Sequence, residues 1–383
     1  MGAKKEYSIG QKKMKSLILS LLRYISLPLA LLYGIVVAIR NRFYDSGFFT
    51  SIEFSLPVIC VGNITVGGTG KSPHIEYLIE LLKGQYKLAT LSRGYKRYTR
   101  GFKIADSTSN ARDIGDEPFQ FKAKYPDIEV CVAEERMTAI PQLLQQKPFI
   151  DVILLDDAFQ HRTVRAGLNI LLTDYERLYT RDHIMPFGLL RESKSAAKRA
   201  QLIVVSKCSP ALSVDEKNKL ITEINPESNQ SVYFSRIQYV NLYPLSPFTV
   251  SYDQDTDILL VSGIANPAPL MEKLKTDFKK VYPLTFKDHH YFTFDDIEEI
   301  REAFKGMSSK NKMIITTEKD ASRLMLLREK ITEYELPIYV QPIGIQILFG
   351  EEEKFNIEVR EFIERIIPVV VEEVSEGIEE GDE

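Results

Sequence analysis

The chain has 383 residues, 44% of them hydrophobic and 27% charged, with a formal net charge of -4. That length allows roughly two domains with appendages, and the composition is that of an ordinary globular protein, not a disordered or fibrous one. The negative balance gives no support to nucleic-acid binding by bulk electrostatics. The three scattered cysteines, Cys60, Cys131 and Cys208, offer neither a disulfide framework nor metal-ligand spacing, and read as buried thiols in a reducing compartment.

The first feature along the chain is the apolar run 17–39, LILSLLRYISLPLALLYGIVVAI. It is long enough to cross a bilayer core of ~30 Å. Arg23 interrupts it, and Pro28 and Gly34 offer points for a bend. No small-x-small cleavage site follows, so a secretory signal peptide fits poorly. Lys4, Lys5, Lys12, Lys13 and Lys15 precede the run, and Arg40 and Arg42 follow it. The segment after it reads as a nucleotide-binding loop, which needs cytoplasmic ATP. A simple crossing would then leave the five lysines outside, against the positive-inside tendency. The expectation is a bent or interface-lying anchor on the membrane surface with both ends cytoplasmic, with a buried core helix as the alternative.

Residues 58–77, VICVGNITVGGTGKSPHIEY, give the strongest signal. An apolar β-branched run leads through glycines into Gly-Lys-Ser and then an amphipathic helix pattern, the P-loop arrangement. Thr65, Val66, Gly67, Gly68, Thr69 and Gly70 would bring backbone N–H groups around phosphate oxygens at a helix N-terminus. Lys71 would reach the β- and γ-phosphates of ATP, and the Ser72 hydroxyl would hold Mg²⁺. The pattern GxxxxGK[ST] asks for Gly at position 65, where this chain has Thr65. A glycine-rich turn without a ligand is the alternative.

Further strands are expected at 86–91, 128–133, 151–155, 168–173 and 202–206, then at 257–262, 281–286, 312–316 and 337–342. Near-continuous apolar strands separated by helix patterns imply an α/β protein with a mainly parallel, doubly covered sheet. The expected divisions are a membrane-associated segment 1–43, a core 44–231, a strand linker 232–252, a second α/β unit 253–368 and an acidic disordered tail 369–383.

Polar clusters follow these strands, where open α/β sheets bind ligands. Ser92-Arg93-Gly94-Tyr95, Gly115-Asp116-Glu117-Pro118 and Arg136 come first. Asp156-Asp157 ends the run DVILL, the placing of a Walker-B carboxylate that holds Mg²⁺. Two adjacent carboxylates at a buried edge are costly without a cation. A GTPase would show DxxG there, and Phe159 and Gln160 stand at the possible glycine positions; Thr317-Glu318-Lys319-Asp320 is only a faint echo of a guanine-reading NKxD. Arg191 and Glu192 could serve phosphate and metal, and the pair His289-His290 at a strand exit could orient a base.

The set VGNITVGGTGKSP, SRGY, GDEP, DDAFQHR, LLRE, FKDHH and TEKDA, in that order over 55–325, resembles the tetraacyldisaccharide 4′-kinase family of lipid A synthesis in Gram-negative bacteria. That family shares the Thr65 departure and carries an N-terminal hydrophobic segment. The resemblance implies a P-loop kinase core with a smaller C-terminal α/β domain. It implies ATP-dependent phosphorylation of the 4′-hydroxyl of a tetraacyldisaccharide 1-phosphate, giving lipid IV-A, at the cytoplasmic face of the inner membrane. It supports Asp116 as the base with His289 as its partner, and Ser72, Asp156, Asp157 and Glu192 around Mg²⁺. Arg136 and Arg191 would meet developing charge or the acceptor's 1-phosphate. The other readings are a membrane-anchored P-loop ATPase or switch, and a kinase for a soluble sugar or nucleoside.

Overall fold

A computed structural model describes residues 25–367. Its strands are β1 (Val58–Gly62), β2 (Leu88–Ser92), β3 (Lys103–Ile104), β4 (Glu129–Val132), β5 (Val152–Asp156), β6 (Leu168–Asp174), β7 (Leu202–Ser206) and β8 (Ser231–Tyr239). There follow β9 (Tyr243–Pro244), β10 (Asp257–Ser262), β11 (Lys280–Thr285), β12 (Lys312–Thr317), β13 (Ile338–Gln341) and β14 (Ile343–Ile347). Nine of them form one sheet in the order β14-β8-β7-β6-β1-β5-β2-β4-β3, and five form a second in the order β11-β10-β12-β13-β9. The inner pairs of both sheets are parallel, with antiparallel strands only at β3, β9 and β14.

The near-continuous apolar strands are explained by burial on both faces. In β1, Val58 and Cys60 point into one core layer with Leu91, Cys131 and Leu155, whereas Ile59 and Val61 point into the other with Leu78, Phe121 and Leu154. This is the two-residue alternation of a strand between two helical layers. Register then places the functional ends together. Val61 lies opposite Asp156 of β5 and Ile170 of β6, so the loops after β1 and β5 leave the same edge side by side. Gly62 permits the approach: a Cβ there would lie 2.6 Å from that of Phe159.

The expected strands all form, but the divisions at 231 and 252 do not follow the sheets, and that at 368 lies outside the described residues. The segment expected as a linker contains β8, a member of the nine-stranded sheet, and after β13 the chain returns to that sheet as β14. The reason is apolar burial: Ile345, Ile347, Phe355, Val359, Phe362 and Ile363 fill the same core layer as Ile59 and Val61. The second sheet is built from 243–341, around Leu259, Val261, Ile314 and Ile338 on one side and Ile258, Leu260 and Met313 on the other.

The helix Leu27–Asp45 carries the described part of the expected anchor. Its 19 residues run without a break through Gly34, and Pro28 sits in the first turn, where an N–H is not needed. Leu29, Leu31, Leu32, Ile35, Val36 and Ile39 are half exposed or more, and Ala30 and Val37 are buried. The lysine-rich start and the acidic tail lie outside the described residues.

Candidate active site

The P-loop is held by its carbonyl side. Thr65 bridges antiparallel to Leu190, and the Val66 N–H donates to Leu189 O at 2.8 Å. Asn63 Nδ2 donates to Thr69 Oγ1 at 2.9 Å and to Gly67 O at 3.4 Å; Ser206 Oγ donates to Thr69 O at 2.8 Å, and Lys207 donates to Gly68 O. With the carbonyls engaged outward, the N–H groups of Gly67, Gly68 and Thr69 take no backbone acceptor among the described residues. Gly67 and Gly70 have φ of +117° and +82°, the left-handed range that favours glycine. The helix Lys71–Leu82 starts at Gly70 with no side-chain cap, leaving its N-terminus for an anion. Buried His74 receives no proton readily: burial pulls it down to about 4, while its Nδ1 lies 2.7 Å from Gly70 O and its Nε2 3.0 Å from Ser235 Oγ.

Lys71 Nζ reaches Asp157 Oδ1 at 3.6 Å, and Arg191 Nη1 approaches the same oxygen at 3.4 Å and Gln160 Oε1 at 3.3 Å. Asp157 has a φ of +50°, which presents its carboxylate to these cations from a strained turn. Asp156 is buried, with Oδ1 unpartnered. Burial, then the charges of Glu117 and Asp157, push its carboxyl up to about 7 against the pull of Lys71. Arg136 is wholly buried; Nη1 donates to Ala133 O and Glu134 O at 3.0 and 3.1 Å, whereas Nε and Nη2 have no partner. Burial pulls its pKa down, while the neighbouring Asp156 charge favours the cation.

Glu117 is the residue whose place the sequence reading left unassigned. Its Oε1 accepts from Ser72 Oγ at 2.8 Å and from Lys319 Nζ at 2.5 Å. Burial is the largest single influence and opposes its charge, but Lys319, Ser72 and Lys71 together outweigh it and hold the carboxyl down at about 2. Glu192 lies elsewhere than expected of a free ligand: Oε2 accepts from Arg199 Nη1 at 2.8 Å and Asn41 Nδ2 at 2.9 Å, and only Oε1 is unpartnered. Among the described residues no cluster of three or more His, Cys, Asp or Glu side chains forms a ready-made metal cage. Mg²⁺ is usually held by one or two carboxylates plus phosphates, not by such a cage. The unpartnered, charge-opposed Asp156 oxygen and the Ser72 hydroxyl fit that mode.

The two sheets meet at Asp116 and His289. Asp116 opens the helix Asp116–Lys124 and is buried; His289 follows β11 with a φ of +57°. His289 Nδ1 is 3.1 Å from Asp116 Oδ2, whereas Asp116 Oδ1 is buried with no hydrogen-bond partner among the described residues; burial, then the Asp116 charge, push the neighbouring Tyr291 hydroxyl up. The Tyr95 ring stands edge-on to His289 with centroids 5.6 Å apart. This is possible because SRGY and GDEP interlock: Gly115 has φ +96°, and a Cβ there would come within 3.2 Å of the Gly94 backbone.

The helix Leu27–Asp45 is bonded to the same loops. Tyr33 Oη donates to Arg191 O at 2.9 Å, Arg40 Nη2 to Gln160 O at 2.6 Å, and Asn41 to Glu192 as above. Arg162 replies from the DDAFQHR loop to Asn41 O at 2.9 Å and to Asp45 Oδ1 at 2.6 Å. No motif signals these contacts, since they join residues more than a hundred positions apart.

The model of the family described as tetraacyldisaccharide-1-P 4′-kinase matches residues 22–364. The tetraacyldisaccharide 4′-kinase of Bacteroides thetaiotaomicron is 46% identical over 345 residues, covering 86% of this chain and 90% of that protein. That of Flavobacterium johnsoniae is 44% identical over 347 residues, covering 90% of this chain and 98% of that protein. The crystal structure of LpxK from Aquifex aeolicus, an "apo" form in complex with ATP, superposes with a TM-score of 0.69 at 25% identity, over 89% of this chain and 99% of that one. The chain therefore belongs to the tetraacyldisaccharide-1-P 4′-kinase family.

Proposed function

We propose that the chain transfers the γ-phosphoryl group of ATP to the 4′-hydroxyl of a tetraacyldisaccharide 1-phosphate, giving lipid IV-A. The observation that carries this reading is the Asp116–His289 pair, with one carboxylate oxygen held at 3.1 Å and the other without a hydrogen-bond partner among the described residues. A hydrolytic switch has no need of a base assembled from two sheets; an acceptor hydroxyl does. Asp116 Oδ1 takes the hydroxyl proton, and His289 holds Oδ2 and shares the charge change. The P-loop N–H groups and Lys71 bind the phosphates. Arg191 and the unpartnered edge of Arg136 meet charge on the transferring group or on the acceptor's 1-phosphate. When bound, Mg²⁺ neutralises phosphate charge. Ser72 and Asp156 are the residues best placed to hold it, with Asp157 paired to Lys71 and Arg191, and Glu192 paired to Arg199 and Asn41. Labelled ATP and the disaccharide lipid, incubated with the purified protein, decide the matter. Label in the lipid supports the kinase, and free phosphate without labelled lipid would establish the ATPase reading instead.

The reading places the protein at the cytoplasmic face of the inner membrane. Support comes from the exposed apolar side chains of Leu27–Asp45, which form a surface of the kind that meets membranes. Residues 33–41 of this helix are also bonded to the kinase body, which favours a segment lying along the interface. Each basic residue near anionic head groups adds about 1 kcal/mol. A cysteine placed at Gly2, with Cys60, Cys131 and Cys208 removed, tests the topology. Protection from an impermeant thiol reagent in sealed spheroplasts is expected; ready labelling would mean that the segment crosses.

A further inference from the structure

The Asp116–His289 pair is backed by a side chain outside both motifs. Arg323, on the helix Glu318–Leu324, is 1% exposed. Its Nη2 donates to Asp320 Oδ1 at 2.7 Å and to Gly263 O at 3.3 Å, and its Nε to Lys319 O at 3.2 Å. The same Nε lies 3.7 Å from Asp116 Oδ2, the oxygen that His289 shares. Gly263 closes the circuit. Its carbonyl also accepts from the His289 N–H at 3.1 Å, and its own N–H donates to Asp320 Oδ2 at 3.0 Å. Thr317 Oγ1 donates to that carboxylate too, at 2.7 Å.

A buried ion pair within one helix, Arg323 with Asp320, would account for Nη2 alone. It does not account for a guanidinium set 3.7 Å from a carboxylate on the other sheet's helix, or for Nη1, buried with no hydrogen-bond partner among the described residues. Leaving a guanidinium N–H unmade in a buried site is unfavourable. The single Nε–H is given to Lys319 O, so at 3.7 Å the guanidinium meets Asp116 Oδ2 as an ion pair and not as a hydrogen bond. His289 itself sits at φ +57°, a conformation that surrounding contacts must hold in place.

We propose that Arg323 is a positioning residue for the base. It fixes Asp116 with Oδ2 turned to His289 and Oδ1 open to the acceptor, and through Gly263 it fixes the His289 backbone. This rests on Asp116 being the base of the transfer reaction. A planar guanidinium sets the orientation of a carboxylate where an ammonium supplies only charge.

The test uses the full chain in detergent with labelled ATP and the disaccharide lipid. Arg323→Met should lower kcat at least tenfold, with KM for ATP and the dissociation constant for a fluorescent nucleotide within twofold of wild type. Arg323→Lys should recover part of that loss. In an Asp116→Asn background, Arg323→Met should cost less than a further twofold, because its target is already gone. Should Arg323→Met fail to fold, Arg323→Met with Asp320→Asn, which removes both charges of the buried pair, is judged by the same criteria; should both fail, Arg323→Lys is judged by its kcat loss at unchanged KM. Wild-type kcat in a folded Arg323 variant, or a full multiplicative loss in the Asp116→Asn background, overturns the proposal. If Asp116→Asn alone keeps wild-type transfer, the base assignment falls instead.

Discussion

Two charge bridges join the same three helices, and they differ in whether they are closed. Ser72 and Glu76 stand one turn apart on Lys71–Leu82. Ser72 donates to Glu117, which also accepts from Lys319; Glu76 accepts from Lys124 at 2.5 Å and from Gln120 at 2.6 Å, and Lys124 donates to Glu318 at 2.8 Å. Glu117 and Lys124 sit on one helix, Glu318 and Lys319 on another, with the signs exchanged from one bridge to the other. The charges of the Glu76 bridge end on one another: Glu318 Oε2 accepts from the Ile343 N–H at 3.1 Å, which ties the turn into β14 to the same knot, and only the neutral Gln120 Oε1 lacks a partner among the described residues. The Glu117 bridge stays open toward Asp156 and its unpartnered oxygen. A closed polar network rigidifies; an open one, with charges left over, is where a ligand completes the pairing.

The sharpest way to break this contrast lies at the open end. Lys71→Ala should lower kcat/KM by at least ~100-fold, roughly 3 kcal/mol of transition-state stabilisation, in a protein that stays folded. Near wild-type transfer by that variant would remove the phosphate cradle from the account. Next in size, Asp116→Ala and His289→Ala should each slow kcat strongly, yet the double variant should be about as slow as the worse single one; losses that multiply would deny the pair a shared role. The closed bridge should answer differently. Lys124→Met strands two carboxylates and should lower unfolding free energy by about 2 kcal/mol, less than for a fully buried pair because the lysine is partly exposed. Its kcat at a permissive temperature should hold. Denaturant melts read alongside transfer rates would show it, and unchanged stability with impaired transfer would reverse the two roles.

An effect confined to acid pH lies between the bridges, at His74. Its folded pKa, about 4, is below the ordinary 6.5, so protonation favours the unfolded chain. The stability it contributes is present above pH 6.5 and is lost as pH falls toward 4, at most roughly 3 kcal/mol. His161, also held near 4 by burial, adds to the same slope. His74→Gln should therefore flatten the fall of Tm between these limits, and parallel Tm curves for variant and wild type would exclude His74 as a source of acid sensitivity.

Much of this was legible in the chain because it is local. The P-loop announces itself in 58–77 through glycines that only a tight phosphate-facing turn requires, and the apolar strands are long enough to show burial on both faces. Strand β14 was not legible: Ile343–Ile347 follows β13 after a single proline, and only pairing with β8 gives it to the other sheet. Asp116 and His289 stood out at strand exits, but Glu117, Lys319 and Arg323 lie in helices whose charge pattern looks like any solvated face. What distinguishes them is pairing between elements about 200 positions apart, with Arg323 also buried, and no spacing reports that.

The contacts of Leu27–Asp45 bear on how freely this enzyme can be redesigned. A membrane tether joined to its cargo by a slack linker is a cassette: any hydrophobic helix of similar length will do. Here Tyr33, Arg40 and Asn41 are spent on Arg191, Gln160 and Glu192, so the helix is bonded to the loops beside the P-loop. One face of this helix is exposed and apolar while the other is bonded to those loops, and a foreign helix in its place would lose the bonds that hold them.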